Sequence, residues 1–261
     1  MRGLTDSSNG LAHAPVARAD AGASDLPGAG SADPARDLTE TLRGAIEAHA
    51  GRVVLLCSFQ KEESVLVDEV VRLSRELDAP SGAGAPVKII TIDTGVLFPE
   101  TLETWRAFEQ RFGVSIDVED ASAASVGQSE PWSGPDHCCS QAKVKALERA
   151  LEGASAWITG LRREQSPTRA DAELVEQDET RGLWKFNPLA FWTERDVWRR
   201  IHEHELPYHP LHDRGYSSIG CAPCTRPGSG REGRWAGTEK TECGLHVVAS
   251  DPVGPPESAT A

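Results

Sequence analysis

The chain has no long apolar run. Its longest, Val53 to Cys57, is far short of the roughly 20 residues a membrane-crossing helix requires, which argues against a membrane partner. It also lacks an opening charged patch followed by an apolar stretch, so no secretory signal is read and a cytoplasmic location is expected. Positive charge is scarce: 27 Lys and Arg stand against 40 Asp and Glu, a formal charge of −13. That balance argues against an extended nucleic acid as ligand unless the basic residues are tightly clustered. A reducing compartment disfavours a disulfide framework, so the six cysteines call for burial, metal binding or catalysis. What remains is a hydrophobic fraction of 39% in 261 residues, enough for one large domain or two small ones.

Residues 1–36 are dominated by Ala, Gly, Ser, Asp and Pro and read as a disordered tail, as do residues 248–261. Between them the spacing predicts a helix from Asp37 to Gly51, a strand over Val53–Cys57, a polar loop over Ser58–Glu63 and a helix carrying Val65 to Leu77. The unit then repeats. Val87–Ile92 reads as a strand, Asp93-Thr94-Gly95 as a turn and Pro99–Phe112 as a helix stopped by Gly113. Val114–Val118 is a third strand candidate, Gln141–Leu151 a helix and Ala156–Thr159 a fourth strand. Strands alternating with helices predict an α/β domain over 37–205 with a mostly parallel sheet, whose ligand would lie beyond the carboxyl ends of the strands. Leu183–Pro188 reads as extended and Thr193–Glu205 as a helix, opened by a Thr193/Asp196 capping pair. Residues 206–247 form a Cys- and Arg-rich segment with little apolar content, which needs a staple other than a core.

Cys221-Ala-Pro-Cys224 and Cys138-Cys139 offer that staple, four thiolates for one metal centre. Adjacent cysteines suit the separated corners of an iron–sulfur cluster better than one tetrahedral zinc ion, while zinc and a redox dithiol stay as alternatives. Cys57, ending a buried strand, reads as a core residue. Cys243, outside any apolar periodicity and downstream of Arg231, Arg234 and Lys240, reads as an exposed thiol in a setting that favours the thiolate, against a plain surface cysteine. Arg162, Arg163 and Arg169 follow the fourth strand, Lys143 and Lys145 follow one cysteine pair, and Arg214, Arg226, Arg231 and Arg234 flank the other. Each alone is an ordinary surface charge. Gathered at strand ends in an acidic chain, they point to a small, highly charged anion. His202, His204, His209 and His212 read as structural rather than metal-binding, and the tryptophans as packing residues, with Trp132 and Trp235 the least certain.

Six blocks carry a resemblance. They are Cys138-Cys139, Thr159 to Pro167 (TGLRREQSP), Lys185 to Leu189 (KFNPL), Gly220 to Pro227 (GCAPCTRP), Arg231 to Trp235 (REGRW) and Glu242 to His246 (ECGLH). In this order and spacing the chain resembles the iron–sulfur branch of the phosphoadenylyl-sulfate reductase family, the assimilatory adenylyl-sulfate reductases. The resemblance implies a Rossmann-like, adenine nucleotide alpha-hydrolase-type fold. It also implies one 4Fe-4S cluster on Cys138, Cys139, Cys221 and Cys224, and reduction of adenosine 5'-phosphosulfate to sulfite and AMP in cysteine biosynthesis. Its nucleophile would be Cys243, and its substrate anion would meet Lys143, Arg169, Arg231, Arg234 and His246. Ser58 opens the segment matching the family's phosphate loop. Asp93, Thr94 and Gly95 match its nucleotide turn, and Gly160 lies in the second matching block, Thr159 to Pro167. Many relatives carry glycine where this chain has Gln60, a position where close backbone approach to a phosphate favours glycine.

Thioredoxin is the implied reductant, because few residues follow Cys243 and none forms a fused redox domain. Self-association into a homo-oligomer is left open. Two rival activities remain: reduction of the 3'-phosphorylated nucleotide, whose enzymes generally lack both cysteine pairs, and ATP-dependent tRNA thiolation, which calls for a glycine-containing pyrophosphate loop and a more basic surface. A zinc-stapled nucleotide-binding module without catalysis is a third.

Overall fold

The structure, a computed structural model, describes residues 30, 31, 33–49, 51–77, 87–134, 141–235 and 238. Helix α1 (Pro34–His49) leads into strand β1 (Val53–Leu56), helix α2 (Lys61–Leu77), strand β2 (Val87–Asp93), helix α3 (Pro99–Phe112) and strand β3 (Asp117–Asp120). Helix α4 (Gln141–Ala150), strands β4 (Ala156–Ile158), β5 (Val175–Asp178) and β6 (Leu183–Phe186), and helix α5 (Glu194–Glu203) follow. The six strands form one sheet in the order β3-β2-β1-β4-β6-β5. All neighbours run parallel except β5, which is antiparallel to β6. The chain winds outward from β1 through β2 to β3 and returns to β4 on the other side of β1. The gap beyond β1 and β4 is therefore the place where a doubly wound sheet opens a crevice.

Alternation along the strands builds two cores. Val53 and Leu55 of β1, with Ala156 and Ile158 of β4, face α1, α2, α3 and α5, among Leu38, Leu66, Val70, Phe108 and Val197. Val54 and Trp157 face the opposite side, against Ala146 and Leu147 of α4. Cys221, Cys224 and Trp235 complete this second core, so the Cys-rich segment packs directly on the sheet. Backbone bonds hold it there: Ala222 N–H donates to Val96 C=O at 2.9 Å, and Trp235 N–H to Cys224 C=O at 2.8 Å. Trp132 and Trp235 are both packing residues here, the Trp132 indole donating to Ala121 C=O.

Several element boundaries differ from the sequence reading. Helix α1 begins at Pro34 rather than Asp37, because the Asp33 carboxylate accepts from Ala35 and Arg36 N–H and Pro34 needs no partner in the first turn. Helix α2 begins at Lys61, so Lys61, Glu62 and Glu63 are its first turn rather than loop. The third strand is Asp117–Asp120 rather than Val114–Val118, since its partners are the last residues of β2, Ile90–Asp93. Strand β5 was not foreseen. It is polar and half-buried, and it exists through its hairpin with β6, where Gly182 takes the left-handed backbone. Thr193 caps α5 as expected, its hydroxyl accepting from Asp196 N–H. No described helix is long and apolar enough to cross a membrane.

Candidate active site

A cleft opens beyond the carboxyl ends of β1 and β4, with a volume of about 930 Å3 including its mouth, within the range of small-molecule sites, roughly 300–1,000 Å3. Ser58 and Gln60 line it from the β1 side and Gly160 from the β4 side. Lys143, Arg169, Arg231 and Arg234 bring four cationic side chains to its walls, and Cys221 stands on its rim. Those cations come from helix α4, from the turn after β4 and from the Cys-rich segment, so distant stretches of chain converge on one anion-sized space.

The floor is made by α2. Glu62 and Glu63 are both buried, an arrangement that a loop would not produce. Glu62 is paired: Arg162 Nε donates to its Oε1 at 2.9 Å and Gln165 Nε2 to the same oxygen at 3.1 Å. Burial pushes the Glu62 carboxyl up, but Lys61 and Arg162 outweigh it and hold the group below its ordinary value. Among the described residues no cation pairs with Glu63. Ser58 Oγ and Gln60 N–H both donate to its Oε2 at 3.0 Å. Burial, with Glu62 next to it, pushes Glu63 up to about 8, so near neutrality it is mostly uncharged and adds little repulsion to an anion in the cleft. Gly160 is required opposite: a Cβ there would stand 2.6 Å from Glu63 Oε1 and 2.9 Å from Glu62 Cβ.

The turn leading into α2 is unusual. Phe59 has a φ of 60°, a left-handed backbone that costs a non-glycine residue on the order of 1 kcal/mol. Its ring is buried and stacks on Trp105 with centroids 5.5 Å apart, which offsets the strain.

The raised Glu63 value has a consequence for stability. A carboxyl that is protonated in the folded state and ionised in the unfolded chain favours folding below about pH 4.5, and this contribution is lost as pH rises toward 8. Over that window the parent should lose up to about 1.4 kcal/mol per pH unit from this group. Glu63→Gln should flatten the slope. Urea unfolding of parent and variant at pH 5.5 and 7.5 checks this, and equal slopes would remove the assignment.

Arg231 and Arg234 flank the Trp235 ring, their guanidinium carbons 5.2 and 4.6 Å from its centroid. Arg234 donates to Ile219 C=O at 3.1 Å, and its Nε is buried with no hydrogen-bond acceptor among the described residues. Gly220 allows this placement, since a Cβ there would fall 2.5 Å from the guanidinium. Arg169 is buried and bonded to Gln165.

The nucleotide turn is placed differently from the rest. Asp93 folds back on its own turn, accepting from Gly95 N–H at 2.7 Å, and Gly95 takes a φ of 72°. Thr94 is buried with its hydroxyl 3.1 Å from Cys221 Sγ. None of the three lines the cleft, whereas Thr91 and Ile92 at the end of β2 do. Cys221 and Cys224 are buried and held within one tight turn, Ala222–Cys224 and the residue before it. That is half the donor set a four-thiolate centre needs. Cys138, Cys139, Cys243 and His246 lie outside the described residues, and among the described residues no group of three or more His, Cys, Asp or Glu converges for a metal. The histidines serve the fold: His209 Nε2 is 2.9 Å from the Thr101 hydroxyl, and His212 Nδ1 is 2.8 Å from Tyr216 C=O.

Sequence reasoning missed Glu62, Glu63, Gln165 and Cys57 as cleft residues. Glu62 and Glu63 carried no signal apart from their place in the matching Ser58–Ser64 segment, because acidic residues at a helix start are ordinarily solvated.

The phosphoadenosine phosphosulfate reductase domain family matches residues 52–227. Adenosine 5'-phosphosulfate reductase of Lysinibacillus sphaericus is 40% identical over 222 residues, 81% of this chain and 91% of that protein. Adenosine 5'-phosphosulfate reductase 1 of Bacillus subtilis is 38% identical over 225 residues, 82% and 92% of the two chains. Among solved structures, phosphoadenylyl-sulfate reductase from Candida auris, a phosphate complex, superposes with a TM-score of 0.58 at 27% identity, covering 71% of this chain and 88% of that one. Candida glabrata FMN adenylyltransferase superposes with a TM-score of 0.55 at 16% identity, covering 76% and 68%, a likeness of fold alone. With two thirds of the chain inside the domain match and relatives this similar over nearly their whole length, the chain belongs to the phosphoadenosine phosphosulfate reductase family.

Proposed function

We propose that this chain reduces adenosine 5'-phosphosulfate to sulfite and AMP with thioredoxin as the electron donor. The observation that carries the reading is the convergence of Lys143, Arg169, Arg231 and Arg234 on one cleft at the switch point of the sheet, with Cys221 on its rim. The relatives from Lysinibacillus sphaericus and Bacillus subtilis, both adenosine 5'-phosphosulfate reductases, support the substrate.

The cleft residues bind and orient. The four cations offset the charge of the phosphosulfate, and the buried guanidinium of Arg234 has a donor left for a substrate oxygen. The Cys243 thiolate attacks the sulfur, the S–O bond to the phosphate breaks, and AMP leaves with the bonding pair, giving an S-sulfonated cysteine. His246 and the cations meet the oxygens of the two anionic groups. One thiolate of thioredoxin then attacks Cys243 Sγ and expels sulfite, and its second thiol resolves the mixed disulfide, releasing Cys243 as the thiolate. Both electrons come from that dithiol. A 4Fe-4S cluster on Cys138, Cys139, Cys221 and Cys224 would supply a rigid tether between the Cys-rich segment and the sheet, and a local field felt through Lys143. The buried Cys221–Cys224 turn suits it, with the Thr94 hydroxyl at one sulfur.

The cysteine assignment predicts that Cys221→Ser or Cys224→Ser protein, purified without oxygen, loses its iron and its brown colour. Iron and sulfide content checks this, and a full complement in either variant, or zinc in the parent, would overturn the four-thiolate cluster. For the substrate, incubation with adenosine 5'-phosphosulfate and no reductant should leave a sulfonate on Cys243, detected by mass spectrometry. Preference for the 3'-phosphorylated nucleotide in turnover would move the assignment to that substrate.

A further inference from the structure

Gln60 lies in the turn between β1 and α2, and its side chain reaches across the cleft. Its Oε1 accepts from Ile219 N–H at 2.8 Å and from Ser218 Oγ at 3.3 Å. On the other side of the same residue, Ile219 C=O accepts from Arg234 at 3.1 Å, and Ser218 Oγ accepts from the same guanidinium nitrogen at 3.4 Å. One peptide segment is thus gripped by the turn after β1 and by a cationic side chain of the cleft. Lys61, the next residue, reinforces the grip: it is buried, and its Nζ donates to Ser217 C=O at 2.9 Å.

We infer that Gln60 is a positioning residue that fixes Arg234 in its anion-binding orientation through Ser218 and Ile219. An amide at residue 60 ties the phosphate-facing turn to the segment that carries both Arg234's anchor and Cys221. Arg234 gains most from this. Its guanidinium is buried, pressed against Gly220 and Trp235, and its anchors, Ile219 C=O and Ser218 Oγ, lie in the segment that Gln60 holds. A loosened segment 217–219 lets the guanidinium turn away from the cleft.

The inference rests on the nucleotide reading above, and AMP binding separates the two. Calorimetry on the anaerobically purified full chain measures AMP affinity in the parent, Gln60→Met, Arg234→Ala and the double variant. Gln60→Met keeps length and loses the acceptor. It should weaken AMP by roughly two- to tenfold, the worth of one hydrogen bond. In the Arg234→Ala background the same change should have an effect of less than about twofold, because there is no guanidinium left to orient. Ser218→Ala, a smaller perturbation that the fold tolerates, should show a weaker loss with the same masking, and it carries the test should Gln60→Met fold poorly. Additive losses, as from an amide that touches the nucleotide itself, or an unchanged affinity in Gln60→Met, overturn the inference while leaving the nucleotide reading intact. A parent chain that binds no AMP overturns both.

Discussion

A Cys243→Ser chain is expected to keep its affinity for AMP and to lose turnover of adenosine 5'-phosphosulfate by at least about 1,000-fold. The binding half follows from the cleft, to which Ser58, Gln60, Gly160, Arg169, Arg231 and Arg234 contribute, none of which the substitution alters. The chemical half follows from the nucleophile. A thiolate is a strong nucleophile at neutral pH and a serine hydroxyl there is not, unless a general base takes its proton. Two other thiols stand at the cleft and give the experiment its internal control. Cys57 is buried, and that burial, with Glu63 close by, pushes its thiol far up, so it does not ionise and should take no sulfonate. Cys221 is buried in the second core. Sulfonate found on Cys57 or Cys221, or a Cys243→Ser chain that still releases sulfite at more than a tenth of the parent rate, would remove Cys243 from the mechanism.

The fold was legible where burial dominates. The strands read at Val53–Cys57 and Val87–Ile92 were found, as Val53–Leu56 and Val87–Asp93, because a parallel strand covered on both faces is largely apolar. Pro99–Phe112 was bounded by its own start and stop residues, proline at the first turn and Gly113 in the left-handed cap. Val175–Asp178 was not legible, and the third strand, read at Val114–Val118, lies at Asp117–Asp120, since both are polar edge strands whose reason to be extended is a neighbour supplied by tertiary structure. The site divides in the same way. Clustering in an acidic chain singled out nine cations, the resemblance narrowed them to Lys143, Arg169, Arg231 and Arg234, and these four line one cleft. Glu62 and Glu63 were hidden because their burial depends on Arg162 and on the close approach of Gly160, both distant in sequence. The Asp93-Thr94-Gly95 turn was read as a ligand contact through the resemblance; in the structure Asp93 accepts from Gly95 N–H and the Thr94 hydroxyl lies against Cys221 Sγ.

Arg162→Met should destabilise the chain by about 3–5 kcal/mol, a large fraction of the 5–15 kcal/mol that holds a typical domain together. Arg162 is buried, with its side chain about 3% exposed, and it makes three bonds: to Glu62 at 2.9 Å, to Glu164 at 2.9 Å and to Trp192 C=O at 3.3 Å. Removing it strands the Glu62 carboxylate in the interior with only Gln165, among the described side chains, donating to it and Lys61 nearby. The cost comes chiefly from that stranded charge, so Arg162→Met with Glu62→Leu should be more stable than Arg162→Met alone. The pH dependence gives a second signature. In the parent, Glu62 is held below its ordinary value. Without Arg162 burial prevails, the carboxyl moves above its unfolded value, and the folded state takes up a proton, so acidification from pH 7 to pH 5.5 should restore part of the lost stability. Urea unfolding of the two variants at both pH values reads all of this. A single variant within about 1 kcal/mol of the parent, or a double variant less stable than the single, would mean that the pair does not carry the junction between α2 and the turn after β4. The junction matters for the site because Glu62 and Gln165 line the cleft from opposite sides of the switch point, and the Glu62–Arg162 bond fixes how far apart those sides stand. Loss of AMP affinity should therefore accompany the loss of stability in Arg162→Met, and the low-pH recovery should return both together.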